Sequence, residues 1–312
     1  MILKDCTDEK LEHCDDRKLE DCVNEEYRKL WVRYWKNSNG LRRLLEKWPF
    51  QYPRGTFKTN CILFVGMNPS YNKKNIDEAA KKLNLAYDHR IFELRHNLRL
   101  KVLKNVLKNP NTIKMIERIE GEFFQCLSYY KKLKKLKEDV VKDNIPFVYV
   151  DLFPIRSTNQ DEVKKGLMLE KASNTNNKKE ICFVKESIRV FKDIITRLKP
   201  RYIVVVNGSI SSMIMDGMEA NYPSMKDNGP PRKAKENNLM YAFKSNKITF
   251  KPNNFDETGY RLMSVENHEY PLVLSGMITG QRPLDKASRE LLIWSLRRIV
   301  DPADKIDISP ER

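Results

Sequence analysis

Short, continuously apolar runs separated by amphipathic stretches dominate the hydrophobic pattern of this chain. Because these runs lack the polar alternation of a sheet that faces water, they predict strands buried on both faces. The four runs are Cys61–Val65, Phe147–Val150, Tyr202–Val206 and Pro271–Leu274. Helical patterns cover 77–141 with a break near Asn109-Pro110, Glu180–Leu198, 208–215 and Leu284–Val300. The pattern therefore predicts a three-layer α/β/α fold with a central, mostly parallel, four-stranded sheet.

The first part of the chain has a different character. Residues 1–56 are expected to form an acidic N-terminal helical arm, and residues 57–312 the α/β/α domain. An eight-residue near-repeat begins at Cys6, and its polar composition is typical of an exposed helix or a mobile arm. Residues up to Trp48 have a more apolar helical pattern.

Two stretches of the α/β/α domain, near 75–145 and 216–268, are interpreted as insertions. The second is rich in Asn, Pro and Lys. Within it, two short apolar runs, Met240–Phe243 and Ile248–Phe250, flank the turn residues Ser245-Asn246. This arrangement predicts a β-hairpin.

Composition excludes several classes of protein. With 40% hydrophobic and 32% charged residues among 312, the chain is neither disordered nor fibrous. No apolar run approaches the ~18 residues of a membrane span. No secretory leader is visible at the N-terminus, so we expect a cytoplasmic protein. The six cysteines show no metal-ligand spacing, which predicts reduced thiols and no metal site.

The charge is strongly positive and unevenly distributed. Lys and Arg number 58 against 42 Asp and Glu, a net charge of +16. Residues 1–26 hold ten acidic and four basic side chains, so the rest of the chain carries +22. Such a field attracts a polyanion such as nucleic acid, although a well-solvated surface is the alternative. Residues 99–142 interleave basic and apolar positions, which fits either a DNA-tracking face or a solvated amphipathic helix.

The predicted sheet fixes where a ligand would bind. In open parallel sheets, ligands bind outside the carboxyl ends of the strands. Four segments follow those ends, namely Gly66–Asn72, Asp151–Gln160, Asn207–Ser211 and Ser275–Arg282. Candidate site residues are therefore sought in these segments.

The same segments carry a family resemblance. Phe64–Ser70, with the sequence FVGMNPS, resembles the first motif of the uracil-DNA glycosylase superfamily, in which a strand ends in Gly-x-Asn/Asp-Pro. Three segments similar to later motifs follow in the family's order, Val148–Arg156, Pro200–Gly208 and Ser275–Gly280. The resemblance spans about 57–300. It implies an enzyme that swings a nucleotide out of DNA and hydrolyses its N-glycosidic bond without a metal or cofactor.

Three catalytic positions follow from the resemblance. Asn68 would position the hydrolytic water, the alternative being a turn residue that caps its own backbone. Asp151 stands where the family commonly has a base-reading Asn. Because a carboxylate only accepts hydrogen bonds, it favours an amino-bearing, cytosine-type base over uracil, the alternative being a capping residue. Ser275 stands where the family has His or Asn, so stabilisation of the leaving base would be weaker.

The remaining site residues are expected around these three. The base pocket would include Gly66, Met67, Pro69, Tyr71, Phe153 and Asn207, and a packed loop aromatic is the alternative for Tyr71. The DNA backbone would be held by Ser70, Arg156, Ser157, Thr279, Gln281 and Arg282. The alternatives are a cap at the residues after Arg156 and a simple helix entry at 279–282. Tyr87 and Phe92 are candidates either for a ring that stacks on the base or for core packing.

Other functions stay open. The weakened second motif also fits a catalytically weak or inactive nucleic-acid-binding protein on the same fold, and a uracil-excising repair enzyme is a further alternative. The expected partner is DNA, duplex or single-stranded, in repair or in attack on modified viral bases. A small-molecule enzyme is disfavoured because the chain has no GxxxxGK loop and no Gly-x-Ser-x-Gly elbow.

Overall fold

The computed structural model describes residues 18–37, 41, 44–86, 92, 109–126, 128–140, 145–167, 178–221, 238–252, 261–276 and 284–300. Its helices are α1 (Leu19–Asn37), α2 (Lys73–Lys82), α3 (Pro110–Cys126), α4 (Ser128–Val140), α5 (Gln160–Leu167), α6 (Lys178–Leu198), α7 (Gly208–Asn221), α8 (Asn238–Ser245) and α9 (Lys286–Val300). Its strands are β1 (Ile62–Gly66), β2 (Phe147–Asp151), β3 (Tyr202–Val205), β4 (Ile248–Pro252), β5 (Arg261–Val265) and β6 (His268–Leu274).

The strands form one mixed sheet in the order β2-β1-β3-β6-β5-β4. The first four are parallel, and they are the four strands that the apolar runs predict. The α/β/α fold class is therefore confirmed. The strand count is wrong, because β5 and β4 extend the sheet by two antiparallel strands to make six.

The β-hairpin predicted between Met240–Phe243 and Ile248–Phe250 is wrong, because only the second of these runs forms a strand. Met240 to Phe243 belong to α8, in which Leu239, Ala242 and Phe243 are buried at helical spacing. The helix is followed by Lys247 with φ +58°. Ile248 then begins β4, which pairs with β5. The stretch interpreted as an insertion thus completes the sheet.

Helices cover both faces of the sheet. Alternate residues of β1 and β3 point to opposite faces, and each face is fully apolar. One face packs against α4 and α9 through Leu133, Leu136, Leu292 and Leu296. The other packs against α1, α3 and α6 in the larger core. Each buried aliphatic side chain contributes roughly 1.5 to 3 kcal/mol, so the two cores fix the strand ends firmly.

The region between β1 and β2 differs in detail from the expectation. The predicted break is confirmed, because α3 begins at Pro110. The helix predicted from residue 77 instead begins earlier, at α2, because the Asn72 side chain accepts a hydrogen bond from the amide of Asn75 and caps it. Residues 87–91 and 93–108 lie outside the described residues.

The expectation that the near-repeat is exposed is wrong for the part of it that lies in α1, whereas the apolar contacts expected up to Trp48 are confirmed. Val23, Tyr27 and Trp31 lie on one side of α1 and are buried in the main core. Trp31 stacks on Trp35 with ring centroids 5.5 Å apart. The apolar stripe of α1 therefore packs against the rest of the fold. The buried Glu20 carboxylate also faces the fold, where it accepts a hydrogen bond from the Phe57 amide at 2.8 Å.

One cysteine departs from the expectation of reduced thiols. Cys22 in α1 is disulfide-bonded, not a reduced thiol. Cys61 is a buried free thiol, in line with the expectation. Within the described ranges, no helix has the length and apolarity needed to cross a bilayer.

Candidate active site

The loops after β1 and β2 run side by side at the carboxyl edge of the sheet. Backbone amides of one loop donate to carbonyls of the other, namely Leu152 to Gly66 at 3.1 Å, Phe153 to Met67 at 3.0 Å and Ser157 to Pro69 at 3.1 Å. These bonds continue the parallel ladder beyond the strands. The first two predicted site segments are therefore held together by backbone contacts.

The other two segments join the same edge. The Val206 amide donates to the Val65 carbonyl at 2.9 Å, and the Ser275 amide donates to the Val205 carbonyl at 2.9 Å. The Ser211 hydroxyl donates to the Ser275 carbonyl at 2.8 Å. The four segments chosen from the sequence thus begin at one continuous edge of the molecule.

Gly66 lies where two side chains approach the backbone of β1. It pairs directly with Asp151 across the sheet. A Cβ on Gly66 would overlap the Tyr149 hydroxyl and Asp151 Oδ1, and would lie 2.9 Å from Tyr149 Cζ. Glycine is therefore required here for close approach, not for an unusual backbone conformation.

Replacing Gly66 with alanine is expected to separate Tyr149 from Asp151 and to lower the free energy of unfolding by about 1 to 3 kcal/mol. Chemical denaturation measures the loss. Gly208→Ala is the matched control, because nothing lies within 4 Å of a Cβ at that position. Equal stability of the two variants would contradict the close packing at Gly66.

Asp151 is a buried carboxyl group at the end of β2. The residue is 3% exposed, and its Oδ1 accepts a 2.6 Å hydrogen bond from the Tyr149 hydroxyl. Burial raises the pKa of Asp151 to about 7, while the Tyr149 hydrogen bond and the charge of Arg156 act in the opposite direction. Near neutral pH the group therefore exists in both protonation states, so it can either donate or accept a hydrogen bond.

The backbone of Asp151 is held by α1 and the segment that follows it. In the parallel pairing of β1 and β2, alternate residues of β2 direct their amide and carbonyl away from β1, and Asp151 is one of them, at the free edge of the sheet. The Tyr27 hydroxyl donates to the carbonyl at 3.0 Å, and the amide donates to the Tyr52 hydroxyl at 3.0 Å. These two tyrosines satisfy the hydrogen-bonding groups of the backbone at the buried edge and fix the end of β2.

The raised pKa of Asp151 predicts a pH-dependent stability. Between about pH 4 and pH 7 the folded state keeps a proton that the unfolded chain releases, so this group makes stability fall as pH rises. Asp151→Asn removes the ionisation and can still accept from Tyr149. We expect equal stability of the two proteins near pH 4 and a variant more stable by about 2 to 4 kcal/mol at pH 8. Urea unfolding across this range is the measurement, and a difference independent of pH would contradict a buried ionisable group.

Asn68 is buried beside the same loops, 7% exposed. Its Nδ2 donates to the Ser157 carbonyl at 2.7 Å, which fixes the orientation of the amide because a carbonyl cannot donate. Its Oδ1 is buried, and none of the described residues donates a hydrogen bond to it. A buried acceptor without a donor is costly, and it is suited to hold a water molecule or a ligand.

The DNA-backbone role predicted for Arg156 is wrong. Its side chain is fully buried and forms an ion pair with Glu120 of α3, which is also fully buried. A terminal guanidinium nitrogen lies 3.5 Å from the Ser70 carbonyl. Burial raises the pKa of Glu120, and the Arg156 charge opposes that rise. The pair therefore connects α3 to the first site loop inside the protein, where the Arg156 side chain is not exposed to a ligand at the surface.

Aromatic rings surround the Arg156 guanidinium. Ring centroids lie 5.2 to 6.0 Å from its central carbon, and they belong to Phe50, Tyr71, Phe92 and Phe123. Tyr71, expected in the base pocket, is buried and also has the Lys47 ammonium 4.8 Å from its ring centroid. Phe92 is a core residue by this placement, so the core-packing alternative holds for it.

Asn207 caps a helix. Its Oδ1 accepts from the Ile210 amide at 3.0 Å at the start of α7, and its Nδ2 donates to Gln160 Oε1 at 3.1 Å. Both polar atoms of the Asn207 side chain thus contact residues at the starts of two helices, α7 and α5. The expected role in a base pocket does not explain these two contacts. Ser275 is partly buried, and its amide and carbonyl are both used in backbone contacts.

The remaining predicted residues are distributed between core, loop and regions not described. Met67 and Phe153 are fully buried in the main core, so neither presents a free surface to a base. Ser157 braces its own loop, since its hydroxyl accepts from the Asn159 amide at 3.1 Å. Those outside the described residues are Tyr87, Thr279, Gln281 and Arg282.

Tyr149 is the main site residue that the sequence prediction missed. It lies two positions before Asp151 on the same strand, so the period-two pattern of a strand places both side chains on one face. Tyr27, Tyr52 and Glu120 carried no comparable local signal, because their partners are distant in sequence. Among the described residues, no group of His, Cys, Asp or Glu side chains is arranged to hold a metal ion.

Comparison with known proteins finds no match for this chain. No family model matches the chain, and neither a curated protein nor a solved structure matches it.

Proposed function

We propose that this protein is a DNA glycosylase of the cytoplasm, which hydrolyses the N-glycosidic bond of an extruded, amino-bearing base of the cytosine type. The proposal rests on the residues at the carboxyl edge of the sheet and on their resemblance to the uracil-DNA glycosylase motifs. On this proposal, the site formed by Asn68 and the end of β2 acts in DNA repair or in attack on a modified base.

The buried amide of Asn68 is the observation that carries the proposal. Nδ2 is anchored on the Ser157 carbonyl, and the buried Oδ1 has no donor from the described residues. A water donating to this oxygen would be held in one orientation, with a lone pair free to attack. Asn68 is too weak a base to deprotonate water, so it fits a reaction in which a cationic sugar makes water reactive.

Such a reaction balances without a cofactor. The bond between C1′ and the base nitrogen breaks, and its electron pair leaves with the base. The water oxygen then bonds to the oxocarbenium-like C1′ and releases a proton to solvent, while the base takes up a proton. The products are a free base and an abasic sugar. The protein contributes position and electrostatic stabilisation.

Asp151 is proposed to read the base. As a carboxylate it accepts from an exocyclic amine, and it opposes a carbonyl at the same place. Because its pKa is about 7, the neutral form can instead donate to a carbonyl oxygen or a ring nitrogen. Selectivity for amino-bearing bases should therefore increase as pH rises through neutrality.

A second candidate is a nucleic-acid-binding protein with weak or no catalysis. One contact favours it. The Ser275 amide donates to the Val205 carbonyl, so this amide is not available to a leaving base, and the chain has neither His nor Asn at that position. The developing charge on the base would then receive little stabilisation.

Base release from a defined panel of oligonucleotides tests the proposal. Single strands and duplexes each carry one uracil, cytosine or 5-substituted cytosine, and free base is quantified by mass spectrometry. We expect release of a cytosine-type base at pH 8. We expect Asp151→Asn to shift the ratio of cytosine to uracil release towards uracil by about tenfold or more, because an amide can donate to O4.

Two results would decide against the proposal. DNA bound tightly but recovered without base loss, at every base in the panel, would favour the binding protein. Release unchanged in rate and base preference by Asp151→Asn would remove Asp151 from recognition. Ser212→Ala is the control variant, because Ser212 is exposed on α7.

A further inference from the structure

The carboxyl group of Asp151 is asymmetric in its contacts. Oδ1 accepts the 2.6 Å hydrogen bond from the Tyr149 hydroxyl. No described residue donates a hydrogen bond to Oδ2. Tyr149 and Asp151 project from the same face of β2, and Gly66 leaves the space that both side chains occupy. The contact is therefore built into the strand pair and does not depend on a flexible loop.

This asymmetry determines where a proton resides on the neutral acid. An oxygen that already accepts from a phenol is the poorer site for the acid proton, because a proton there would compete with the phenol hydrogen for the same lone pairs. The proton of neutral Asp151 is thus directed to Oδ2. The same hydrogen bond stabilises the ionised form, since a phenol donates more strongly to a carboxylate.

The other groups that face Asp151 act on it differently. Arg156 contributes a positive charge from the loop after β2 and favours ionisation. Tyr27 and Tyr52, from α1 and the following segment, contact the backbone amide and carbonyl of Asp151 and not its carboxyl group. Among these residues Tyr149 alone hydrogen-bonds the side chain.

We propose that Tyr149 is a positioning residue that determines base specificity: it reserves Oδ1 of Asp151 and leaves Oδ2 as the atom that meets the base and gains or loses the proton. The part of this inference that concerns base recognition rests on the proposed function. With the proton on Oδ2 the site donates to a carbonyl-type edge, and without it the site accepts from an amino-type edge. One partly buried pair thereby distinguishes two classes of pyrimidine.

Tyr149→Phe tests the inference with two independent readouts. The first is the ¹³C chemical shift of the Asp151 carboxyl carbon during a pH titration, assigned by its loss in Asp151→Asn. We expect its midpoint to move upward by about one pH unit, because the donor that stabilises the carboxylate is gone. The second is the ratio of cytosine to uracil release against pH, whose crossover should move upward by the same amount. Tyr130→Phe is the control, since Tyr130 packs in the same aromatic group against Phe124 and Phe147.

Each outcome decides a separate point. An unmoved titration in Tyr149→Phe would overturn the inference even if wild type releases bases normally. A moved titration with an unmoved crossover would overturn the specificity role. If wild type releases no base at any pH, the proposed function fails, the specificity role fails with it, and the titration alone decides whether Tyr149 sets the protonation of Asp151. Equal shifts in both phenylalanine variants would also contradict the inference.

Discussion

Asn68→Ala is expected to lower the rate of base release by about 100-fold or more, because a water that is no longer oriented must find its attack geometry by chance. The substitution removes the buried Oδ1, which has no donor from the described residues, and also the Nδ2 that donates to the Ser157 carbonyl. Single-turnover kinetics with excess enzyme isolate this step from binding and product release.

A matched control lies in the same loop. Asn72 is exposed, and its side chain caps α2 by accepting from the Asn75 amide. Asn72→Ala should cost about 1 kcal/mol of stability and leave the rate of base release unchanged. Equal rates for wild type and Asn68→Ala, at full occupancy with DNA, would remove Asn68 from the reaction. Equal loss in both variants would indicate a loop defect instead of a lost water position.

Arg156→Ala is expected to cause the largest loss of stability, about 3 to 5 kcal/mol. The ion pair with Glu120 is fully buried, so removing the cation leaves a carboxylate that must protonate or remain uncompensated. Four aromatic rings also lose the guanidinium that they contact. Thermal and urea unfolding followed by circular dichroism measure the loss.

An exposed ion pair that also involves α3 provides the comparison. Lys82 pairs with Glu122 at 2.6 Å, and the lysine side chain is largely exposed. Lys82→Ala should therefore change stability by less than about 1 kcal/mol. The double variant Arg156→Met with Glu120→Leu should recover much of the loss, since apolar groups of similar volume replace both charges. An Arg156→Ala protein as stable as Lys82→Ala would contradict the burial of this pair.

The sequence predicted the parallel part of the sheet well because its signal is local. Each of the four buried strands is a continuous apolar run, and a strand covered on both faces requires such a run. Arg261–Val265 was missed because its Arg and Ser interrupt the apolar pattern. The segment from Met240 to Phe243 was assigned to a strand because four apolar residues do not distinguish a helix from a strand by periodicity alone.

The site was predictable only in its position along the strands. Gly66, Asn68 and Asp151 follow apolar runs, and the rule for parallel sheets places them at one edge. The partners of these residues come from distant segments, and no sequence spacing relates them. Arg156 was assigned to a phosphate because an arginine in a polar loop is usually exposed. Its burial depends on Glu120, 36 positions earlier in the chain.

The source of the oxygen on the product sugar tests the central claim most directly. The protein is incubated in H₂¹⁸O with an oligonucleotide that carries one cytosine-type base, and both products are weighed by mass spectrometry. The proposal predicts release of the unlabelled free base and an abasic sugar with one ¹⁸O at C1′, at a rate that depends on Asn68 and exceeds the exchange of that oxygen in a preformed abasic oligonucleotide incubated in parallel. An intact oligonucleotide after prolonged incubation, or an abasic product without ¹⁸O, would contradict a glycosylase in which Asn68 positions the attacking water.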